Sequence, residues 1–114
     1  MTNGLINKII SETQKKLLEL LNDDLEKVIL FGSCARGDYT DESDIDIAVL
    51  LSCERQVSAK YKSSLITLSA EMDLKNMVVV NFICIPYGEY MEKKGYYPFY
   101  ANIEREGKVI YGKR

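Results

Sequence analysis

Val28-Ile29-Leu30-Phe31 runs into Gly32-Ser33-Cys34-Ala35-Arg36-Gly37, and after the polar residues 38–42 comes Ser43-Asp44-Ile45-Asp46, continued by Ile47-Ala48-Val49-Leu50-Leu51. An apolar run of this length, closed by a Gly-Ser turn, reads as a strand, and the run after the second aspartate reads as another. Side chains alternate across a strand, so Asp44 and Asp46 project from the same face. Two neighbouring carboxylates repel unless a cation lies between them, and an all-oxygen pair suits Mg²⁺. The small residues beside them let backbone approach a phosphate closely. Order and spacing together point to a metal–nucleotide site.

With 114 residues, the chain is expected to form one domain over 1–114. Apolar residues at 46% and charged residues at 28% place it among ordinary globular proteins. A net charge of −2 and a pI near 5.2 argue against sequence-independent binding of nucleic acid, which calls for a basic face. Lys113-Arg114 is the only basic end and reads as a solvated terminus. Polar residues interrupt the start too often for a signal or transit sequence, and the nearly apolar run Met77 to Ile85 is too short to cross a bilayer as a helix. Cys34, Cys53 and Cys84 are odd in number and widely spaced, so a reduced, cytoplasmic setting is expected. The sequence contains no histidine. That excludes Ser-His and Cys-His nucleophile pairs and His-ligated zinc, and leaves carboxylates, lysine, arginine, tyrosine, backbone amides and a bound metal.

Around this segment, residues 4–21 read as an amphipathic helix with Ile6, Ile9, Ile10, Leu17, Leu20 and Leu21 at helical spacing. The first strand is expected over Lys27 to Phe31, a short turn of helix capped by Ser33 up to Arg36, and the second strand over Ile45 to Leu51. A second long helix is expected from Arg55 to Met72, with Val57, Tyr61, Leu65, Leu68 and Met72 on one face. The β-branched run Val78 to Ile85 follows, closed by Pro86. Short helices over Glu89 to Lys94 and Pro98 to Glu106, stopped by Gly95 and Gly107, and an edge strand over Val109 to Tyr111 complete the pattern. This order describes an α/β (α+β) fold, a small mixed sheet with helices packed on it.

Other phosphate and cation motifs fail. No G-K-[ST] follows Gly37, Gly32 and Gly37 do not make G-x-G-x-x-G, and no register of the Asp38 to Asp46 acids fits an EF-hand. The pattern from Gly32 to Gly37 followed by Ser43 to Asp46 does resemble the G-S-x-x-R-G…S-D-x-D signature of the polymerase-β-type nucleotidyltransferase superfamily. The short chain resembles its minimal branch, the MNT domains, many of which are antitoxins paired with HEPN-domain ribonuclease toxins. The specific evidence lies within residues 32–46, while the element order extends the likeness over most of the chain.

The resemblance implies a nucleotidyltransferase fold and transfer of a nucleoside monophosphate, AMP from ATP, to a hydroxyl on a protein partner. Asp44 and Asp46 would be catalytic and would hold two Mg²⁺ ions about 3.5–4 Å apart. Gly32 and Ser33 would cradle the β- and γ-phosphates. Arg36 is open to two roles, a phosphate contact or a brace to Asp38, Asp41 or Asp44, and Ser43 is expected to orient the turn into the second strand. The family's third carboxylate on the adjacent strand is missing. Val79 or Asn81 occupies that position, and Asn81 offers an amide oxygen to metal or nucleotide but cannot take a proton. Glu71 and Asp73 could substitute only if the register shifts. A HEPN-type partner would supply the acceptor that a chain of this size has no room to carry. An inactive, nucleotide-holding antitoxin acting by occlusion is the alternative, and modification of a small molecule such as an antibiotic is a third reading. No direct nucleic-acid or membrane contact is expected, and a homo- or hetero-oligomer is possible. The aromatics Tyr87, Tyr90, Tyr96, Tyr97, Phe99, Tyr100 and Tyr111 read as core against the sheet or as a partner surface.

Overall fold

A computed structural model of the chain describes residues 1–52 and 59–112. Its strands are Leu25–Phe31 (β1), Ile45–Leu51 (β2), Val80–Pro86 (β3) and Lys108–Gly112 (β4). They form a mixed sheet in the order β3-β2-β1-β4. β1 runs antiparallel to β2 and to β4, while β2 and β3 are parallel. A parallel pair needs a crossover, and the helix Lys62–Asn76 supplies it. In chain order the helices are Asn3–Leu21 (α1), Ser33–Arg36 (α2), Lys62–Asn76 (α3), Tyr87–Lys93 (α4) and Pro98–Glu106 (α5).

Each face of the sheet is covered by a different helix pair. Ile6, Ile9, Leu17 and Leu21 of α1 and Leu65, Leu68 and Met72 of α3 pack on Val28, Leu30, Ile45, Ile47, Val49 and Leu51. On the opposite face, Tyr90 of α4 and Tyr100 and Ile103 of α5 pack on Ile29, Ala48, Leu50 and Ile85. β2 is therefore buried on both sides, as its apolar run predicts, and the covering stops where Asp46 emerges half-buried at its start. Leu17, Ile47 and Val49 have no exposed surface, so truncating any one of them to alanine removes about 2–5 kcal/mol or somewhat less for valine.

Element boundaries differ from the sequence expectation in instructive places. β1 begins at Leu25 rather than Lys27, because Leu25 is fully buried and pairs with Leu51. β3 begins at Val80 rather than Val78; the Asp73 carboxylate accepts the Val80 N–H at 2.7 Å and fixes the strand's start. The crossover helix runs on past Met72 to Asn76, with Met77 in the left-handed conformation closing it. A 3₁₀ turn, Ala59–Tyr61, precedes it, and Arg55 and Val57 lie outside the described residues, as do Cys53, Lys113 and Arg114. Gly107 ends α5 as expected. It does so by close approach rather than by unusual dihedrals, since a Cβ there would meet Ile103 O at 2.4 Å and Ile29 Cγ2 at 2.5 Å. Among the described residues no helix is long and apolar enough to cross a membrane, and Cys34 and Cys84 are free thiols.

Candidate nucleotide and metal site

β1 ends at Phe31, and the chain turns at Gly32 with φ of +74°. The turn brings backbone against a carboxylate: a Cβ on Gly32 would lie 2.5 Å from Asp46 Oδ2. Glycine is thus required both by the dihedral and by the contact. Gly32, not Ser33, occupies the N-cap position of α2, and no side chain caps the helix. The correction has a simple cause. The carbonyl of Gly32 already accepts the N–H groups of Ala35 and Arg36, each at 3.1 Å, which places Ser33 inside the first turn. The first N–H groups of that turn, at Ser33 and Cys34, have no acceptor within so short a helix.

Strand pairing assembles the acid pair. Phe31 is opposite Asp46 in the antiparallel β1–β2 register, and Asn81 is opposite Asp46 in the parallel β2–β3 register. The Asn81 amide nitrogen donates to Asp44 Oδ2 and to Asp46 Oδ1, each at 3.2 Å. One side chain therefore touches both aspartates. That decides between the two residues open to the third position. Val79 precedes the strand and its side chain is 46% exposed, whereas Asn81 faces the carboxylates. Asp73 is committed to the Val80 N–H and Glu71 lies exposed on α3, so neither joins the pair. Among the described residues, no lysine or arginine pairs with Asp44 or Asp46, and no cluster of three or more carboxylate, thiol or imidazole ligands forms.

Cys34 lies directly behind the pair. Its thiol is 5% exposed and donates to the Asp44 carbonyl at 3.5 Å. Burial first, and then the charges of Asp46 and Asp44, push this thiol above its ordinary pKa. It is a packed neutral group rather than a nucleophile. The loop between α2 and β2 is held by Ser43, whose hydroxyl accepts the Thr40 N–H at 2.8 Å while its own N–H donates to Thr40 O at 3.1 Å. Ser43 thus orients the turn into β2, as expected.

Arg36 serves as a brace, to Asp38 as expected and to one further acid that was not expected. Its Nε reaches Asp38 Oδ2 and its Nη1 reaches Glu106 Oε2, both at 3.2 Å. Glu106 sits at the end of α5, 70 residues away, and no local spacing could have disclosed it. Phe31, next to Asp46 in register, meets Phe99 of α5 edge-on with ring centroids 5.8 Å apart. Of the aromatics, Tyr90 and Tyr100 are core, while Tyr96, Tyr97 and Phe99 are 68%, 47% and 39% exposed. A cavity of about 530 Å³ between α3 and the edge strand β3 has Asn81 on its wall, with Lys62, Ser69 and Phe82.

Two carboxylates converging on an amide, all oxygen-bearing groups, fit a hard divalent cation with open positions for water or phosphate oxygens. The Gly32 contact shows that the turn and the acid pair form one constellation. Residues 8–109 match the nucleotidyltransferase domain family. A Methanocaldococcus jannaschii protein whose name proposes a protein adenylyltransferase is 39% identical over 104 residues, covering 91% of this chain and 96% of that protein. A crystal structure of a toxin–antitoxin complex with AMP-PNP superposes with a TM-score of 0.56 at 21% identity, over 90% of this chain and 73% of that one. A structure of the Shewanella oneidensis tri-AMPylated HEPN toxin in complex with its MNT antitoxin gives a TM-score of 0.50 at 18% identity, over 93% and 72% of the two chains. At these identities the two structures attest a shared fold.

Proposed function

This chain belongs to the nucleotidyltransferase domain family, and on that premise we propose that it transfers AMP from ATP to a hydroxyl of a protein partner. The partner proposed is a toxin of HEPN type, for which this chain, as a single domain in the cytoplasm, acts as antitoxin. The observation that carries the reading is the convergence of Asp44, Asp46 and Asn81 on one point beside the Gly32-Ser33 turn. The adenylyltransferase name of the Methanocaldococcus jannaschii relative supports the reaction class. The AMPylated toxin in the Shewanella oneidensis complex supports the acceptor.

In this reading Asp44 and Asp46 hold the divalent cations, and the amide oxygen of Asn81 is available to complete the set. When bound, Mg²⁺ would neutralise charge on the phosphates and lower the pKa of the attacking hydroxyl. The turn at Gly32 and Ser33 receives the terminal phosphates on N–H groups that the short helix leaves unpaired. Gly32 also keeps the phosphate cradle and the Asp46 carboxylate in contact, so that the reacting phosphorus is positioned rather than merely bound. Arg36, tied to Asp38 and Glu106, holds α2 to α5 and reaches a phosphate only by leaving Glu106.

Incubation with labelled ATP, Mg²⁺ and the protein encoded beside this one tests the proposal. Label is expected on the partner, and is expected to be lost with Asp44→Ala or Asp46→Ala. No transfer, with wild type and Asp46→Ala alike, overturns it. Asn81 at the third position favours a second reading, a slow or non-transferring antitoxin that neutralises by occlusion. Losing a positioned base costs about 10²–10⁴-fold in rate. That reading fails if Asp46→Ala abolishes neutralisation while the complex still forms.

A further inference from the structure

We propose that Asn81 is a two-state strut: its amide nitrogen holds the Asp44–Asp46 pair together without a cation, and its amide oxygen faces the cation when one is bound. The inference rests on reading the acid pair as a divalent-cation site, and it concerns what the missing third charge does there. Asn81 sits in register opposite Asp46. Its NH₂ carries two N–H bonds, and each is directed at a different carboxylate, at 3.2 Å in both cases. The opposite amide orientation would set Oδ1 against two carboxylate oxygens and is excluded by repulsion. Two charge-assisted hydrogen bonds thus occupy the place of the positive charge that the described residues otherwise lack there.

Arrival of a cation reverses the requirement at that point from donor to acceptor. Asn81 meets it by half a turn about χ2, a terminal sp³–sp² torsion with a broad, roughly two-fold profile, which presents Oδ1 instead. An aspartate at 81 would serve only the filled state, because without a cation it adds a third charge to two. A leucine would serve neither. The chain has therefore kept a side chain compatible with both states, and weaker metal binding is the consequence.

Asn81→Asp, Asn81→Leu and Asp46→Ala, together with wild type, separate these roles through Mn²⁺ affinity, measured by electron paramagnetic resonance, and melting temperature with and without Mn²⁺. For Asn81→Asp we expect a lower metal-free melting temperature and Mn²⁺ affinity raised by about 30-fold or more, the attraction of one added charge for a divalent ion at about 4 Å in water. For Asn81→Leu we expect a lower metal-free melting temperature and weaker Mn²⁺ binding. The opposite signs on affinity are what a merely structural residue would not produce. If Asn81→Asp leaves both quantities at the wild-type values, or weakens Mn²⁺ binding as Asn81→Leu does, the proposal is overturned. Mn²⁺ affinity unchanged in Asp46→Ala would instead overturn the cation-site reading beneath it.

Discussion

Two polar clusters share the face of the sheet that α4 and α5 cover. Over the distal half of β2, the Tyr90 hydroxyl donates to Glu104 Oε2 at 2.6 Å, and Lys94 Nζ reaches Glu104 Oε1 at 3.2 Å. At the start of the same strand, Asp44 and Asp46 are bridged by Asn81. The first cluster contains its own cation and a fully buried tyrosine ring. In the second, two carboxylates share one neutral amide. Carboxylates compensated by their own side chains belong to the fold, while a pair that no cation among the described residues compensates, at the edge of the apolar covering, is on the proposed reading the one that takes a charge from outside.

Replacing one carboxylate in each cluster is the most forceful way to break this comparison. Asp46→Asn is expected to cut AMP transfer by two orders of magnitude or more, since it removes charge that would otherwise hold the cation. Mg²⁺ is expected to raise the melting temperature of the wild type, and Asp46→Asn is expected to abolish that rise. Glu104→Gln is expected to lower the melting temperature equally with and without Mg²⁺ and to leave transfer near wild type. If Glu104→Gln removed the Mg²⁺ effect, the two clusters would not be separable. Gly32→Ala ranks next. Its Cβ would lie 2.5 Å from Asp46 Oδ2 at a φ of +74°, so a loss of about 1–3 kcal/mol in stability should accompany a fall in transfer. An alanine at Gly107 would meet Ile103 O and Ile29 and should destabilise the fold while leaving Mg²⁺ binding unaltered.

The Tyr90 cluster makes its own prediction in pH. Burial, and then the hydrogen bond to Glu104, push the Tyr90 hydroxyl well above its ordinary pKa, while the Tyr90 hydrogen bond and then Lys94 hold Glu104 below the usual carboxylate range. A depressed carboxylate contributes stability above its unfolded pKa, about 4.3, and that contribution is lost as pH falls through the lower folded value. A raised tyrosine contributes below its unfolded pKa, about 10, and that contribution is lost as pH rises toward the folded value. Tyr90→Phe should therefore cost about 1–2 kcal/mol at neutral pH and flatten both limbs, measured by chemical denaturation across pH. Retention of both limbs in Tyr90→Phe would show that other groups set them.

The contrast between the clusters also explains what was legible in the sequence. The Gly32-Ser33 turn and the Asp44-Ile45-Asp46 alternation are local patterns, so spacing alone places them at adjacent strand ends. The burial of β2 and the stop at Gly107 are local as well. What the sequence left open is set by register: a one-residue slip in β3 turns every side chain to the other face. A two-residue slip keeps the face but would set Val79 where Asn81 stands opposite Asp46, so spacing alone does not decide the third position, and the Asp73–Val80 hydrogen bond that fixes the strand start cannot be read from composition. The Tyr90–Glu104 pair joins two helices by packing, which tyrosine counts do not disclose.

Arg36 gives the smallest effect and the sharpest test of where the site ends. Its guanidinium is exposed and divided between Asp38 and Glu106, a pairing worth little in water. If it acts only as a brace between α2 and α5, Arg36→Ala and Glu106→Gln should each change stability by less than about 1 kcal/mol and alter Mg²⁺–ATP affinity alike. If it lets go of Glu106 to meet a phosphate, the two variants should diverge. Glu106→Gln would then free the guanidinium and strengthen nucleotide binding, whereas Arg36→Ala would weaken it. Calorimetric titration of both variants with Mg²⁺–ATP, set beside their melting temperatures, decides between these roles. Equal affinities would draw the boundary of the nucleotide site at Ser33, and opposite shifts would extend it through α2 to the end of α5.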